Sequence, residues 1–353
     1  MSKQKVLLGM SGGVDSTAAA LLLQRQGYEV IGATLRLQDE ATEASGHALR
    51  DIGDARAAAD KLGIRHIILD WRSRFREKVL DYFAAEYDRG RTPNPCVVCN
   101  PTVKFPALLE AADREGAAYI ATGHYARIIP EPRTGRHRLC RALSPARDQS
   151  YALFGLSPAW LPRILFPLGD CDKPQVRELA AQAGLAISQK ADSQDICFVP
   201  DGDYGAFLER YTGSPGPAGS FVDTRGNILG RHKGIRHYTV GQRKGLGVSL
   251  GAPAFVERID AATGSITLSG GENLFTDTLF ARPVNWLAPA EPEHPFPVQA
   301  KVRYAHSPQP ATVCLQRDGG VRVEFAEKQR AVTPGQAVVF YDRDELLGGG
   351  LIL

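Results

Sequence analysis

The sequence predicts an α/β domain built on a doubly wound parallel sheet, followed by an all-β half. Three observations carry this expectation. Over the first ~120 residues, short apolar runs alternate with runs of helical period, the pattern of parallel strands with helices between them. The segment Gly9-Met10-Ser11-Gly12-Gly13-Val14-Asp15-Ser16 joins one such strand to one such helix through a glycine pair. From Pro200 onward the texture changes to short β-rich runs separated by glycines. With 353 residues the chain exceeds what one hydrophobic core usually serves, and two or three domains are expected.

Taken in order, Lys5 to Met10 reads as a strand, Thr17 to Gln26 as a helix stopped by Gly27, and Tyr28 to Leu35 as a second strand. Residues 38–50 read as a polar loop, Ile52 to Leu62 as a helix, Ile64 to Leu69 as a strand and Phe75 to Tyr87 as another helix. Arg91 to Asn100 reads as a proline-restrained loop, with a helix from Val103. Ala118 to Thr122 is a further strand, and Gly123 and His124 sit just past its end, where ligand-contacting residues belong in such a sheet. Pro174 to Ala183 reads as a helix, Pro174 suiting its first turn and Gly184 the position after its last. Gly213 to Ser220 is a turn or linker cluster. Strands are expected at Gly219 to Val222, Phe255 to Ile259, Ser265 to Leu268, Val298 to Tyr304, Thr312 to Gln316, Val321 to Phe325 and Ala337 to Phe340. A break near Glu272 to Asp277 divides this half into two β units, giving domains over residues 1–200, 201–272 and 273–353.

The glycine pair lets backbone approach an anion closely, and the N–H groups and positive end of the helix opening near Val14 favour negative charge. No lysine follows the glycines, which excludes the GxxxxGK[ST] loop. A second constellation is Cys96-Val-Val-Cys99. Its spacing fits half a zinc site, a redox dithiol, two of several iron–sulfur ligands, or two half-buried thiols. Cys197, taken alone, reads as a buried strand thiol, and Cys140, Cys171 and Cys314 have no partner spacing and read as structural.

Composition narrows the class. Hydrophobic residues make up 43% and charged residues 23%, without a long uncharged apolar run or a leader pattern, so a soluble cytoplasmic protein with no membrane association is expected. Six cysteines are too few for a disulfide scaffold in a chain of this size. The net charge of +3 says little, but Thr224 to Val256 holds no acidic residue while containing Arg225, Arg231, Lys233, Arg236, Arg243 and Lys244. Such a window suits phosphate contacts with a nucleic acid.

The Gly9 to Ser16 loop matches the SGGxDS loop of enzymes that split ATP into AMP and pyrophosphate, a loop shared with argininosuccinate and GMP synthetases. Together with Thr92 to Asn100, Ala121 to Tyr125, Arg147 to Tyr151, Leu165 to Asp170, Asp192 to Phe198 and Tyr238 to Gly245, it resembles the bacterial tRNA-specific 2-thiouridylases, over essentially the whole chain. The resemblance implies a PP-loop domain, a β-rich central tRNA-binding domain and a C-terminal β-barrel. It also implies the reaction: ATP adenylates the 2-oxygen of the wobble uridine of tRNA, and sulfur then displaces AMP. By residue matching, Gly9, Met10, Ser11, Gly12, Gly13, Val14, Asp15, Ser16, Leu35 and Gly123 would hold ATP, with Asp15 organising Mg2+. Asn94, Pro95 and Cys96 would face the target base, and His124, Arg147, Asp148, Gln149, Arg303, Tyr304 and Gln336 would contact tRNA. Cys99 would be the nucleophile and Cys197 the persulfide carrier.

Two departures from the familiar family pattern stand out. Cys96 occupies a place where many members have Asp, and Gln194-Asp195 replaces the usual Thr-Gly before Cys197. The resemblance implies that Cys96, Cys99 and Cys197 meet at one site, and related tRNA thiolases with a CxxC plus a distant cysteine use a [4Fe-4S] cluster held by three thiolates; the three are therefore expected to ligate one, with a Cys99/Cys197 persulfide relay as the alternative. The sulfur donor would be free sulfide, a cysteine desulfurase or a sulfur-relay protein. Another PP-loop adenylating ligase and a non-catalytic tRNA-binding protein are the competing classes. The basic β-rich half argues against the first, and the intact loop with Cys99 and Cys197 argues against the second.

Overall fold

A computed structural model describes residues 3–39, 47–182, 196–214, 216, 218–248, 251–288 and 295–353. The N-terminal part is a parallel sheet of β1 (Lys5–Gly9), β2 (Glu29–Arg36), β3 (Arg65–Asp70), β4 (Tyr119–Thr122) and β7 (Ile164–Leu165), ordered β3-β2-β1-β4-β7. Val6, Leu7 and Leu8 are fully buried, as a strand covered on both faces requires. The direction of winding reverses between β1 and β4. A crevice therefore opens at their carboxyl ends, the usual ligand position in an open α/β sheet.

Helices α1 (Val14–Arg25), α2 (His47–Leu62), α3 (Arg72–Phe75), α4 (Asp81–Asp88), α5 (Pro95–Cys99) and α6 (Phe105–Glu115) connect these strands. The run Ala18 to Ala20 is buried without remainder, small side chains that let α1 pack closely between the sheet and its neighbouring helices. Two departures from the sequence reading concern helix starts. Helix α2 begins at His47, inside the stretch read as a polar loop, the rest of which lies largely outside the described residues. Pro95–Cys99 is helical, because proline at the first helical position has no N–H to lose and the Asn94 side chain accepts a bond from the Cys96 amide at 3.0 Å.

A hairpin that the sequence did not reveal follows β4: β5 (Ala126–Glu131) and β6 (Arg136–Arg141). Its edge joins the C-terminal sheet, Cys140 standing opposite Glu345. After α7 (Lys173–Gln182), the half expected to be all-β opens with a helix, α8 (Tyr204–Thr212), whose buried Phe207 and Leu208 serve the first domain's packing. The central unit is a four-stranded sheet of β8 (Gly219–Val222), β9 (Ile228–His232), β10 (Phe255–Asp260) and β11 (Ser265–Ser269), ordered β10-β11-β8-β9. The last unit comprises β12 (Phe275–Trp286), β13 (Phe296–Lys301), β14 (Gln309–Leu315), β15 (Val321–Arg330), β16 (Ala337–Asp342) and β17 (Glu345–Ile352). Pairing of β12 with β17 closes these strands into a barrel around Val313, Val323, Val338 and Phe340. Strands β9, β12 and β17 escaped the sequence reading: glycines interrupt β17, and β12 carries a proline and no regular alternation of buried and exposed positions.

Candidate active site

The turn between β1 and α1 is built by backbone. Gly12 has φ +69°, and a Cβ there would stand 2.4 Å from the Asp51 carbonyl oxygen, so only glycine fits. The Ser16 hydroxyl accepts from the Ser11 amide at 3.3 Å and donates to the Gly13 carbonyl at 3.1 Å, closing the turn on itself. Thr17 donates to that carbonyl at 3.0 Å. Gly123, at the end of β4, lies so near α1 that an added Cβ would meet the Ser16 amide nitrogen at 2.9 Å. The first-turn amides of α1 are the kind of backbone donors that receive an anion, and the glycines at 12, 13 and 123 put no Cβ beside them.

Asp15 is held from two sides. The Lys173 ammonium lies 2.8 and 2.9 Å from its carboxylate oxygens, and the Tyr125 hydroxyl donates to it at 2.7 Å. Asp15, the expected organiser of Mg2+, thus has its charge occupied within the protein, and among the described residues no group of three His, Cys, Asp or Glu side chains is disposed to hold a metal ion. Sequence reasoning missed Lys173 because it lies 158 residues from Asp15.

From Gly123 the chain leads, through His124 and the Lys104 beside it, towards the thiols. The His124 ring bonds the Thr122 hydroxyl at 2.7 Å and stacks on Phe105, and burial with nearby Lys104 drives its pKa well below the usual imidazole value, leaving it neutral. Lys104 is also the cation nearest in effect to Cys96, Cys99 and Cys197. A π turn over Asn100–Lys104, closed by the Phe105 amide on the Asn100 carbonyl, brings Lys104 round towards Cys99; five residues on a regular α-helix would have put it on another face.

Cys96 and Cys99 lie one helical turn apart on α5, Cys96 exposed and Cys99 buried. Cys197, expected as a buried strand thiol, is instead exposed in a turn, and it feels the charge of both other thiols. Phe198 anchors it: the ring is buried edge-on to Phe75 at 5.8 Å and Phe83 at 5.2 Å, beside Cys99 in the same apolar cluster. Burying such a ring contributes about 1.5–3 kcal/mol, enough to fix one turn of chain. Gln194 and Asp195, just before it, lie outside the described residues. Loss of solvation among the surrounding protein atoms raises all three thiols, although Cys96 and Cys197 keep a surface open to solvent: Cys99 to about 11, Cys197 to about 12, and Cys96 in the same direction, with Lys104 opposing. Mutual proximity adds to the rise for Cys99 and Cys197. The donors suit a sulfur-ligated group in kind; holding one requires these thiols to deprotonate and close upon it.

The residues expected to contact tRNA divide. Tyr304 is exposed, edge-on to Tyr151, with the Lys301 ammonium 5.6 Å from its ring, and it senses the charge of Cys96. The Gln149 side chain accepts from the Tyr125 amide at 3.0 Å and also reaches Tyr304. Arg147 is half-buried beside them. The structure turns others inward. Asp148 is buried and accepts from the Ala142 amide, the Ser150 amide and the Ser150 hydroxyl, which makes it a turn anchor. Arg303 donates to the Val240 and Ala331 carbonyls and to Thr333, and Gln336 donates to the Thr92 carbonyl at 2.7 Å, so both join domains. Asn94 caps α5, Pro95 is buried, and Leu35 packs between two core clusters. Cys140 and Cys314 are buried in strands and Cys171 is half-buried.

A doubly wound sheet with an anion turn at its reversal point, and an appended closed barrel, define a multidomain nucleotide-binding protein. Residues 4–201 match the family described as tRNA methyl transferase HUP domain, 205–270 its PRC-barrel domain, and 276–352 the aminomethyltransferase beta-barrel domain. A tRNA-specific 2-thiouridylase MnmA of Lachnoclostridium phytofermentans is 49% identical over 99% of both chains, and one of Acetivibrio thermocellus is 48% identical over 100% of both. The chain belongs to the tRNA-specific 2-thiouridylase family. Among solved structures, the U34-tRNA thiolase NcsA of Methanococcus maripaludis with its [4Fe-4S] cluster covers 60% of this chain and 70% of its own, at 18% identity and a TM-score of 0.37. That likeness is too slight to bear on the site. No helix among the described residues is long and apolar enough to cross a membrane.

Proposed function

We propose that this protein thiolates the 2-position of the wobble uridine of tRNA at the expense of ATP. The observation that carries the reading is a succession of neighbours, Gly123 against Ser16, His124 beside Gly123, and Lys104 acting on both His124 and the three cysteines, within a chain aligned end to end with 2-thiouridylases. The turn amides bind the phosphates, and the uridine 2-oxygen takes the adenylyl group as pyrophosphate leaves. Uracil oxygen is a poor leaving group and AMP a good one, so activation must precede attack by sulfur at the same carbon. Neutral His124 offers the base a hydrogen-bonding edge without adding charge, and Tyr304 offers a stacking face to an unpaired base. The reaction would run in the cytoplasm, with MgATP as substrate and free sulfide, a desulfurase or a relay protein as sulfur source.

The same proposal extends to Cys96, Cys99 and Cys197 as ligands of a [4Fe-4S] cluster, supported by thiols near enough for Cys96 and Cys99 to act electrostatically on Cys197; they do not form a ready-made metal-holding group among the described residues, so binding would draw them together. When bound, such a cluster leaves one iron open to hold sulfide. Anaerobic purification with iron and sulfide quantification, together with mass analysis of tRNA thiolated in vitro, tests both levels. Near-equal iron and sulfide, lost in each single Cys→Ala variant, are expected. Iron-free protein that thiolates tRNA as fast as reconstituted protein replaces the cluster with a persulfide on Cys197 resolved by Cys99, and absence of tRNA thiolation under every condition overturns the function.

A further inference from the structure

The anion turn lacks a lysine of its own, yet the fold supplies one from the far end of the domain. Lys173 opens α7, which packs on α1, and its ammonium meets both carboxylate oxygens of Asp15, the second residue of α1. The Lys173 side chain is 7% exposed and that of Asp15 33%, so the ammonium has surrendered its water while the carboxylate facing it sits on the open side of the turn. Lys173 also occupies the first turn of its helix, where the backbone's own positive end disfavours a cation. A lysine kept in so unfavourable a place requires an anion before it. Asp15 fills that role here, one residue from the amides that receive phosphate.

We propose that Lys173 is the cationic partner of the departing pyrophosphate, with Asp15 and Tyr125 holding it ready; this rests on the adenylating activity proposed above. In that step a bond forms from the uridine 2-oxygen to the α-phosphorus. The bond from that phosphorus to the α,β-bridging oxygen breaks, its electron pair leaves with pyrophosphate, and the uridine N3 proton passes to solvent. Lys173 makes no covalent bond. Its ammonium meets negative charge that grows on the leaving group, the task a loop lysine performs in GxxxxGK[ST] proteins.

The test uses the full chain and three readouts: tRNA-dependent pyrophosphate release from MgATP, inhibition by inorganic pyrophosphate, and inhibition by AMP. Lys173→Met is expected to lower kcat about 100-fold with a smaller change in the KM for ATP, as when one transition-state donor is lost. It weakens pyrophosphate inhibition at least about tenfold and leaves AMP inhibition unchanged, while Lys173→Arg recovers part of kcat. Because the Met variant leaves Asp15 without its cation, the double variant Asp15→Asn with Lys173→Met removes both charges together. Its pyrophosphate inhibition stays weak while AMP inhibition and near-ultraviolet circular dichroism match the parent. Wild-type pyrophosphate affinity in both variants, or equal loss of pyrophosphate and AMP binding, overturns the assignment and leaves Lys173 as an anchor for Asp15. A parent protein that releases no pyrophosphate with tRNA overturns the adenylation reading and this assignment with it, an outcome distinct from the other two.

Discussion

The two parts of the site are built in opposite ways. The anion turn is made of consecutive residues whose working parts are backbone amides, positioned by glycine conformation and by hydrogen bonds inside one turn. The thiol end is made of side chains brought together from α5 and from a turn a hundred residues later, held by aromatic packing around Phe198. A backbone site tolerates many side-chain changes and fails when a glycine gains a Cβ. A side-chain site tolerates changes around it and fails when one sulfur is lost.

The largest effect is expected from that sulfur. Cys99→Ala or Cys197→Ala should lower tRNA thiolation by at least about a thousandfold while preserving tRNA-dependent pyrophosphate release, because the adenylating end is separate. Mass analysis of the tRNA beside a pyrophosphate assay decides it, and joint loss of both would erase the division drawn here. Next comes Gly12→Ala, which forces alanine into φ +69° and against the Asp51 carbonyl. It should reduce pyrophosphate release by about 100-fold and stability by about 1–3 kcal/mol, read from urea unfolding.

The thiols also differ from free cysteine in their titration. Raised pKa values mean less thiolate at neutral pH, so alkylation of Cys99 and Cys197 by iodoacetamide should climb about tenfold per pH unit between pH 7 and 10, without levelling near 9. Peptide mass spectrometry measures this, and a plateau below pH 9 would remove burial as the controlling force. Smaller again is the effect of Arg243→Gln with Lys244→Gln, both exposed on the acid-free stretch. tRNA affinity should fall severalfold and its salt slope by about 1–2, in fluorescence-anisotropy titrations. The smallest is Asn94→Ala, which removes the cap of α5 and should cost about 1 kcal/mol in thermal or urea unfolding.

By itself the sequence determined the α/β sheet, the anion turn and the pairing of Cys96 with Cys99, because each is a property of neighbouring residues: alternating periods, a glycine pair, an i to i+3 spacing. Beyond its motifs, what the sequence left open are contacts between distant residues. The exposure of Cys197 depends on where Phe198 finds a pocket among Phe75, Phe83 and Phe207. The hairpin β5–β6 was invisible because its outer partner, β17, lies two hundred residues later. Asp148 looks like a surface polar group in the sequence and becomes a turn anchor within its own domain, while Arg303 and Gln336 become internal ties once the domains meet. Lys173 shows the same limit most sharply. Its helix start was readable from Pro174, but only packing of α7 on α1 gave that ammonium a carboxylate to face, since the energy of burying a charge is settled by what stands within a few ångströms of it in space.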